Sequence, residues 1–151
     1  MSDMLVPLYN LPARSPYNND SVTIRRALAP EKQVVIDWVK EKFNQRWADE
    51  CEVAFSRQPV SCFIAIEEGK MIGFACYEST CRNFFGPTGV DELARGKGVG
   101  TELLLECMEA MYAEGYAYAI IGGAGPKEFY EKTIGAIEIP GSKPGIYKGM
   151  L

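Results

Sequence analysis

Residues 90–101 read Val-Asp-Glu-Leu-Ala-Arg-Gly-Lys-Gly-Val-Gly-Thr, and a stretch with apolar residues at helical spacing, Leu103 to Met111, follows at once. Three alternating glycines weaken a strand and a helix alike. The chain is therefore expected to turn here, between a strand end and a helix N-terminus. Such a turn has a chemical consequence. Without a Cβ, the backbone N–H groups of glycine can approach a ligand closely, and the first N–H groups of a helix have no intrahelical partner. The helix dipole favours negative charge at that end, so the combination is a phosphate cradle. Arg95 and Lys97 add cationic donors.

Two common phosphate loops can be excluded by counting. A Walker A loop needs a glycine five residues before the Gly-Lys pair and a hydroxyl residue after the lysine, where this chain has Asp91 and Gly98. A dinucleotide fingerprint, Gly-x-Gly-x-x-Gly, fits Gly96 and Gly98 but meets Thr101 at its third glycine. Arg-x-x-Gly-x-Gly is satisfied by Arg95, Gly98 and Gly100. That spacing resembles the acetyl-CoA pyrophosphate loop of the GNAT superfamily of acyl-CoA-dependent N-acetyltransferases. Val90, five residues before the arginine, matches too, whereas Glu92 stands where a proline is common. A plain glycine-rich helix start with solvated charges is the alternative reading.

A second stretch supports the resemblance. Phe129-Tyr130-Glu131-Lys132, followed by Gly135, resembles the Phe-Tyr-x-Lys signature of the same superfamily. The pattern departs at Gly123, where asparagine is common, at Pro126, where alanine is common, and in a Lys132–Gly135 gap one residue longer than usual. The resemblance implies that Tyr130 lies near the sulfur of CoA. A neutral tyrosine O–H can donate a proton to a departing thiolate, which makes Tyr130 the candidate general acid. The alternative is an aromatic side chain packed in the core.

The rest of the chain is consistent with one domain. At 151 residues it can bury a core without metals or disulfides. A net charge of −4 with no basic run argues against nucleic-acid binding and is compatible with an amine substrate. There is no histidine, which removes Ser-His and Cys-His nucleophiles and histidine metal sites. No metal is expected. Five cysteines with no Cys-x-x-Cys spacing fit reduced thiols and a cytoplasmic location. No signal pattern or membrane-length apolar run is present, so no membrane association is expected.

In chain order, residues 1–20 read as an irregular arm rich in Pro, Asn and Ser, and residues 21–151 as the domain. A strand is predicted at Ser21–Ala27. A helix follows Pro30, with Ile36, Val39, Phe43 and Trp47 on one stripe, and a second helix covers Asp49–Arg57. Ser61–Glu67 and Met71–Tyr77 form a hairpin about Glu68-Gly69-Lys70. Phe84–Val90 is a strand interrupted by Gly86, Pro87 and Gly89, a sign of an edge, a bulge or close ligand approach. After the long helix come a strand at Tyr116–Ile121, a short helix at Lys127–Thr133, a strand at Ala136–Pro140, and a closing strand at Ile146–Leu151. This order predicts an α/β (α+β) fold with a mixed, largely antiparallel sheet and helices on both faces.

The resemblance implies an N-acetyltransferase that moves an acetyl group from acetyl-CoA directly to a primary amine, carried by a small molecule or a peptide. The pyrophosphate would rest on Arg95, Gly96, Lys97, Gly98, Val99, Gly100 and Thr101. The pantetheine arm would pair with the strand bearing Thr88 and Val90, one of whose N–H groups would polarise the thioester carbonyl. Phe129 and Lys132 would flank the cofactor beside Tyr130. Trp47, Glu50, Glu52 and Phe55 fall where an acceptor would bind; core aromatics and a solvated acidic face are the alternative reading. No carboxylate identifies itself as the base. Glu78 is the first choice, then Glu52 and Asp91, with a water relay as the alternative. A catalytically silent CoA-binding or sensing module and a regulatory interaction domain are the competing functions. Homodimerisation through the arm or the final strands is a further expectation.

Overall fold

The computed structural model describes residues 1–151. In chain order its elements are β1 (Met4–Pro7), β2 (Val22–Arg26), α1 (Lys32–Lys42), α2 (Gln45–Ala54), β3 (Cys62–Glu67) and β4 (Lys70–Tyr77). They continue with β5 (Phe84–Val90), α3 (Val99–Ala113), β6 (Tyr118–Ile121), α4 (Lys127–Ile134) and β7 (Ile137–Glu138). The seven strands form one sheet in the order β2-β3-β4-β5-β6-β1-β7. Every neighbouring pair is antiparallel except β5–β6, which is parallel. The expected mixed, largely antiparallel sheet is what forms. No helix is long and apolar enough to cross a membrane.

Each face of the sheet buries its own cluster, because side chains alternate along a strand. Phe63 and Ala65 of β3, with Ala75 and Tyr77 of β4, face the cluster built by Leu103, Leu104, Met108 and Met111 of α3 and by Tyr130 of α4. Cys62 and Ile64, with Phe74 and Cys76, face Val35, Ile36 and Val39 of α1 and Ala48 and Cys51 of α2. The sulfurs of Cys51, Cys62 and Cys76 lie within 4.8 Å of one another in this second cluster. They sit among apolar neighbours with no cation to balance a thiolate, and they pack as small apolar side chains.

The β3–β4 hairpin turns at Glu68 and Gly69, both at positive φ (51° and 73°), as a tight primed turn requires. The periodic stripe through Phe43 and Trp47 is not one helix. α1 ends at Lys42, and α2 restarts at Gln45 because the Asn44 side chain accepts a hydrogen bond from Trp47 N at 2.9 Å. The second helix therefore begins four residues before the predicted Asp49.

The two chain ends correct the sequence reading. The predicted closing strand at Ile146–Leu151 does not form. That segment carries a short 3-10 turn at Gly145–Tyr147 and is largely exposed. The sheet is completed instead by Met4–Pro7, inside the stretch read as an irregular arm. β1 runs antiparallel to β6, with Met4 opposite Ile121 and Pro7 opposite Tyr118, and its other edge pairs with β7. Met4 and Val6 are fully buried and Leu5 and Pro7 half-buried, a clean period of two. Four residues ending in proline give too short an apolar run to announce a strand. Residues 11–20 do run without regular structure, as expected.

Because Met4 belongs to the core, Met4→Ala should destabilise the protein by about 2–5 kcal/mol, the usual cost of truncating a buried methionine. Urea unfolding of the two proteins measures this directly, and a change below about 1 kcal/mol would mean that β1 is dispensable for stability.

Candidate active site

The one parallel pair of strands creates the site. β5 touches β6 only through Phe84 opposite Ile120 and Phe85 opposite Ile121. On its other side β5 stays paired with β4 as far as Val90 opposite Gly73. From Gly86 to Val90 the edge facing β6 therefore has no strand partner, and the sheet opens into a wedge. A cavity of about 1410 Å³ fills this wedge, lined by Gly86, Pro87, Thr88, Gly89 and Val90 along the open edge. Gly89 is required by packing, since a Cβ there would come within 2.3 Å of the Phe43 ring.

The glycine turn closes one end of the cavity. Gly98 has φ 76° and stands immediately before α3, and Gly96 has φ 89°. Glu102 N bonds back to Gly98 O at 3.1 Å. The earlier N–H groups of the first turn have no intrahelical carbonyl to reach. Arg95, Gly96, Gly98, Val99, Gly100 and Thr101 all line the cavity. A donor-rich loop at a helix start suits an anionic phosphate group, so the residues present fit the pyrophosphate that the sequence implied.

Tyr130 of α4 lines the same cavity. Its ring lies edge-on to Phe85, with centroids 6.3 Å apart, and to Phe129, at 5.2 Å. Burial alone pushes its hydroxyl up to about 12, because a phenolate would lose its hydration there. Tyr130 is thus a neutral O–H donor at physiological pH. The loop leading to α4 is fixed by the two residues that precede β1. Asp3 Oδ1 accepts from Gly123 N at 2.8 Å, and Ser2 O accepts from Ala124 N at 3.0 Å.

The far end is lined by Trp47, Asp49, Glu50, Thr80 and Tyr147. Glu50 is half-buried and accepts a hydrogen bond from Thr80 Oγ1 at 2.9 Å. Burial raises its carboxyl above the ordinary value, and the Thr80 bond opposes this only in part. It forms no ion pair, while Glu52, on the outer side of α2, pairs with Lys32 at 3.3 Å. Of the four predicted acceptor contacts, Trp47 and Glu50 reach the cavity, and Glu52 and Phe55 do not.

Glu78 must be removed as the candidate base. It does not line the cavity, and its side chain is only 3% exposed. Its carboxylate accepts hydrogen bonds from Asn83 N and, at 3.0 Å, from Tyr116 Oη, and Arg57 lies 3.5 Å away. Glu78 and Asn83 both have positive φ, 61° and 57°, so this carboxylate staples the turn from β4 to β5. Asp91 likewise accepts from Leu93 N at 3.1 Å and pairs with Lys42 at 3.3 Å.

Among the predicted cofactor residues, Thr88, Val90, Phe129 and the loop residues other than Lys97 meet at the cavity. Lys97 turns outward and pairs with Glu67 at 2.8 Å. Lys132 is exposed on the outer face of α4 and lines no part of the cavity. A lysine in a phosphate-like motif carries no sequence signal that tells inward from outward. Thr80 and Tyr147 were missed because only the tertiary fold brings them to α2.

The acetyltransferase (GNAT) family model matches residues 23–136. No curated protein matches the sequence. Several solved structures share the fold. A GCN5-related N-acetyltransferase from Sphaerobacter thermophilus superimposes with a TM-score of 0.67 at 18% identity, over 91% of this chain and 48% of that one. A glucosamine N-acetyltransferase region of a fungal multi-domain β-N-acetylglucosaminidase gives 0.73 at 11% identity, over 91% and 19%. A GNAT family acetyltransferase from Brucella melitensis in complex with acetyl-CoA gives 0.57 at 16% identity, over 74% and 82%. The chain thus spans about half or less of the first two structures. At these identities the likeness is one of fold, and the site must be argued from its own residues.

The left-handed backbone at Gly98 makes a simple test of the loop. Gly98→Ala should cost about 1–2 kcal/mol in stability, since an L side chain is strained at that φ. Thermal and urea unfolding would show it, and an unchanged midpoint would mean that the loop relaxes to another conformation.

Proposed function

This chain belongs to the GNAT acetyltransferase family, and from that premise we propose that it transfers an acetyl group from acetyl-CoA directly to a primary amine on a small molecule or peptide. One observation carries the reading. The donor-rich loop, the unpaired edge of β5 and Tyr130 all line a single cavity.

In this reading Arg95 and the N–H groups of Gly96–Thr101 hold the pyrophosphate. The open edge between Gly86 and Val90 pairs with the pantetheine arm, and one of its N–H groups stabilises the developing oxyanion. Holding amine and thioester side by side supplies most of the rate gain. Glu50 takes the place first given to Glu78. It is an unpaired, half-buried carboxylate in the cavity wall with a raised pKa, as suits a base working near neutrality. Glu50 receives a proton from the bound ammonium and passes it to water. The freed nitrogen forms the C–N bond, and the C–S bond breaks with its electron pair leaving on sulfur. Tyr130 donates its proton to that thiolate and is reprotonated by the second proton leaving the nitrogen. No cysteine is needed. Burial holds the Cys76 and Cys107 thiols well above their usual value, which makes them poor nucleophiles.

The direct test is calorimetric titration of acetyl-CoA, with desulfo-CoA and ATP as comparisons, followed by a thiol-release assay over a panel of amines. Saturable binding of acetyl-CoA and not ATP, with turnover of at least one amine, is the expected result. Binding without turnover of any amine would favour a silent CoA-binding module, and no binding would overturn the reading.

Tyr130→Phe should lower kcat about 10-fold to 100-fold while leaving acetyl-CoA affinity within about twofold, since one general acid is lost and no binding group. Full activity in that variant removes the acid role. Glu50→Gln tests the base through its pH profile. The reactive carboxylate is lost as pH falls through its raised pKa, so the acid limb of kcat/KM should lie above the ordinary carboxylate range. That limb should vanish in the variant along with most of the activity. An unchanged profile would exclude Glu50.

A further inference from the structure

Residues 11–20 lie outside the stretch matched by the family, yet they run along α3 and over the outer side of the glycine loop. Arg14 and Tyr17 fix them there, and Ser21, the next residue along, joins the same network. Arg14 donates to Glu102 in the first turn of α3, to Glu106 at 3.2 Å and to Glu109 at 2.9 Å. The Tyr17 hydroxyl donates to Lys97 O at 2.8 Å, and its ring edge lies 3.8 Å from where a Cβ on Gly98 would stand. Ser21 donates to Glu67 at 3.0 Å, and Glu67 in turn holds the Lys97 ammonium.

We infer that this segment is part of the acetyl-CoA-binding apparatus, with Arg14 cancelling the charge of Glu102 beside the pyrophosphate cradle and Tyr17 fixing the loop from behind; the inference rests on the function proposed above.

The electrostatic half follows from position. A carboxylate in the first turn of a helix is stabilised by the helix dipole, but it repels any anion bound to the same N–H groups. The Glu102 side chain is only 14% exposed, so water screens it poorly. Left unpaired, it would oppose the pyrophosphate that the loop is built to hold. Arg14 is itself largely covered, at 21% exposure, and contacts all three glutamates of that helix face. Such an arrangement exceeds what a solvated surface pair needs. The geometric half follows from the direction of the Lys97 peptide. With its carbonyl bonded outward to Tyr17 and its side chain drawn outward to Glu67, the loop keeps its outer surface occupied. Its inner surface remains for the ligand. Both residues are positioning residues, since neither lines the main cavity.

Calorimetric titration of acetyl-CoA separates these roles from mere stability. Arg14→Ala should weaken affinity about fivefold to tenfold, with the deficit shrinking as salt is raised from about 20 to 500 mM. Adding Glu102→Gln to Arg14→Ala should restore affinity to within about twofold of the parent, because the offending charge is then gone. A role in packing alone would not be rescued in this way. Tyr17→Phe removes one exposed-side hydroxyl without threatening the fold, and it should weaken affinity about threefold. Parent-like affinity in both Arg14→Ala and Tyr17→Phe overturns the inference, as does an Arg14→Ala deficit that Glu102→Gln leaves in place. If the parent protein itself fails to bind acetyl-CoA, the function proposed above falls, and this inference with it. Binding by the parent with indifferent variants sinks the inference alone.

Discussion

The structure depends on a strand pairing that stops early. β5 and β6 run side by side for two residue pairs and then separate, and no other element fills the gap. An unpaired strand edge ordinarily invites aggregation or costs hydrogen bonds. Here the open edge lines a cavity shared with residues of α4, α2 and the glycine loop. Pro87, which has no N–H, and the glycines of the strand suit a segment that pairs on one side only. The parallel geometry matters too. Parallel neighbours need a crossover, and that crossover is α3, whose N-terminus is thereby delivered to the cavity's edge. Wedge and cradle are consequences of one topological choice.

Much of this was legible in the sequence, because the informative signals were local. Alternating glycines before an apolar stripe specify a turn and a helix start with little help from the rest of the chain. The β3–β4 hairpin announced itself through Glu68-Gly69, and the irregular β5 through Gly86, Pro87 and Gly89. The two-cluster core follows from strands that are apolar on both faces. What failed was of another kind. Glu78 has the composition of a base and the location of a staple, and only the turn to Asn83 tells the two apart. Lys97 stands in a motif where it reads as a phosphate ligand, yet Glu67, thirty residues away, draws it outward. Met4–Pro7 is a strand because β6 and β7 offer it two edges, which no pattern in four residues can convey. For Lys97 and for Met4–Pro7 the deciding partner is distant in sequence.

The first twenty residues connect these errors. Read as an arm, they turn out to brace the site at two points. Asp3 holds the loop before α4 through Gly123, and Tyr17 holds the glycine loop through Lys97. The stretch matched by the family contains the wedge, the glycine loop and Tyr130, and residues before it brace both loops. Backbone amides are useful to a ligand only when their direction is set in advance, and outward hydrogen bonds are an economical means of setting it.

The placement of β1 also bears on how the molecule comes together in time. Met4 lies against Ile121 and Glu138, and β7 pairs only with β1, so the sheet remains two strands short until nearly the whole chain has been gathered. Contacts between such remote partners demand loop closure before they return any stabilisation, and they form late. The loop before α4, which Asp3 and Ser2 hold, depends on that closure. Without that closure β6 would present a bare edge to neighbouring molecules.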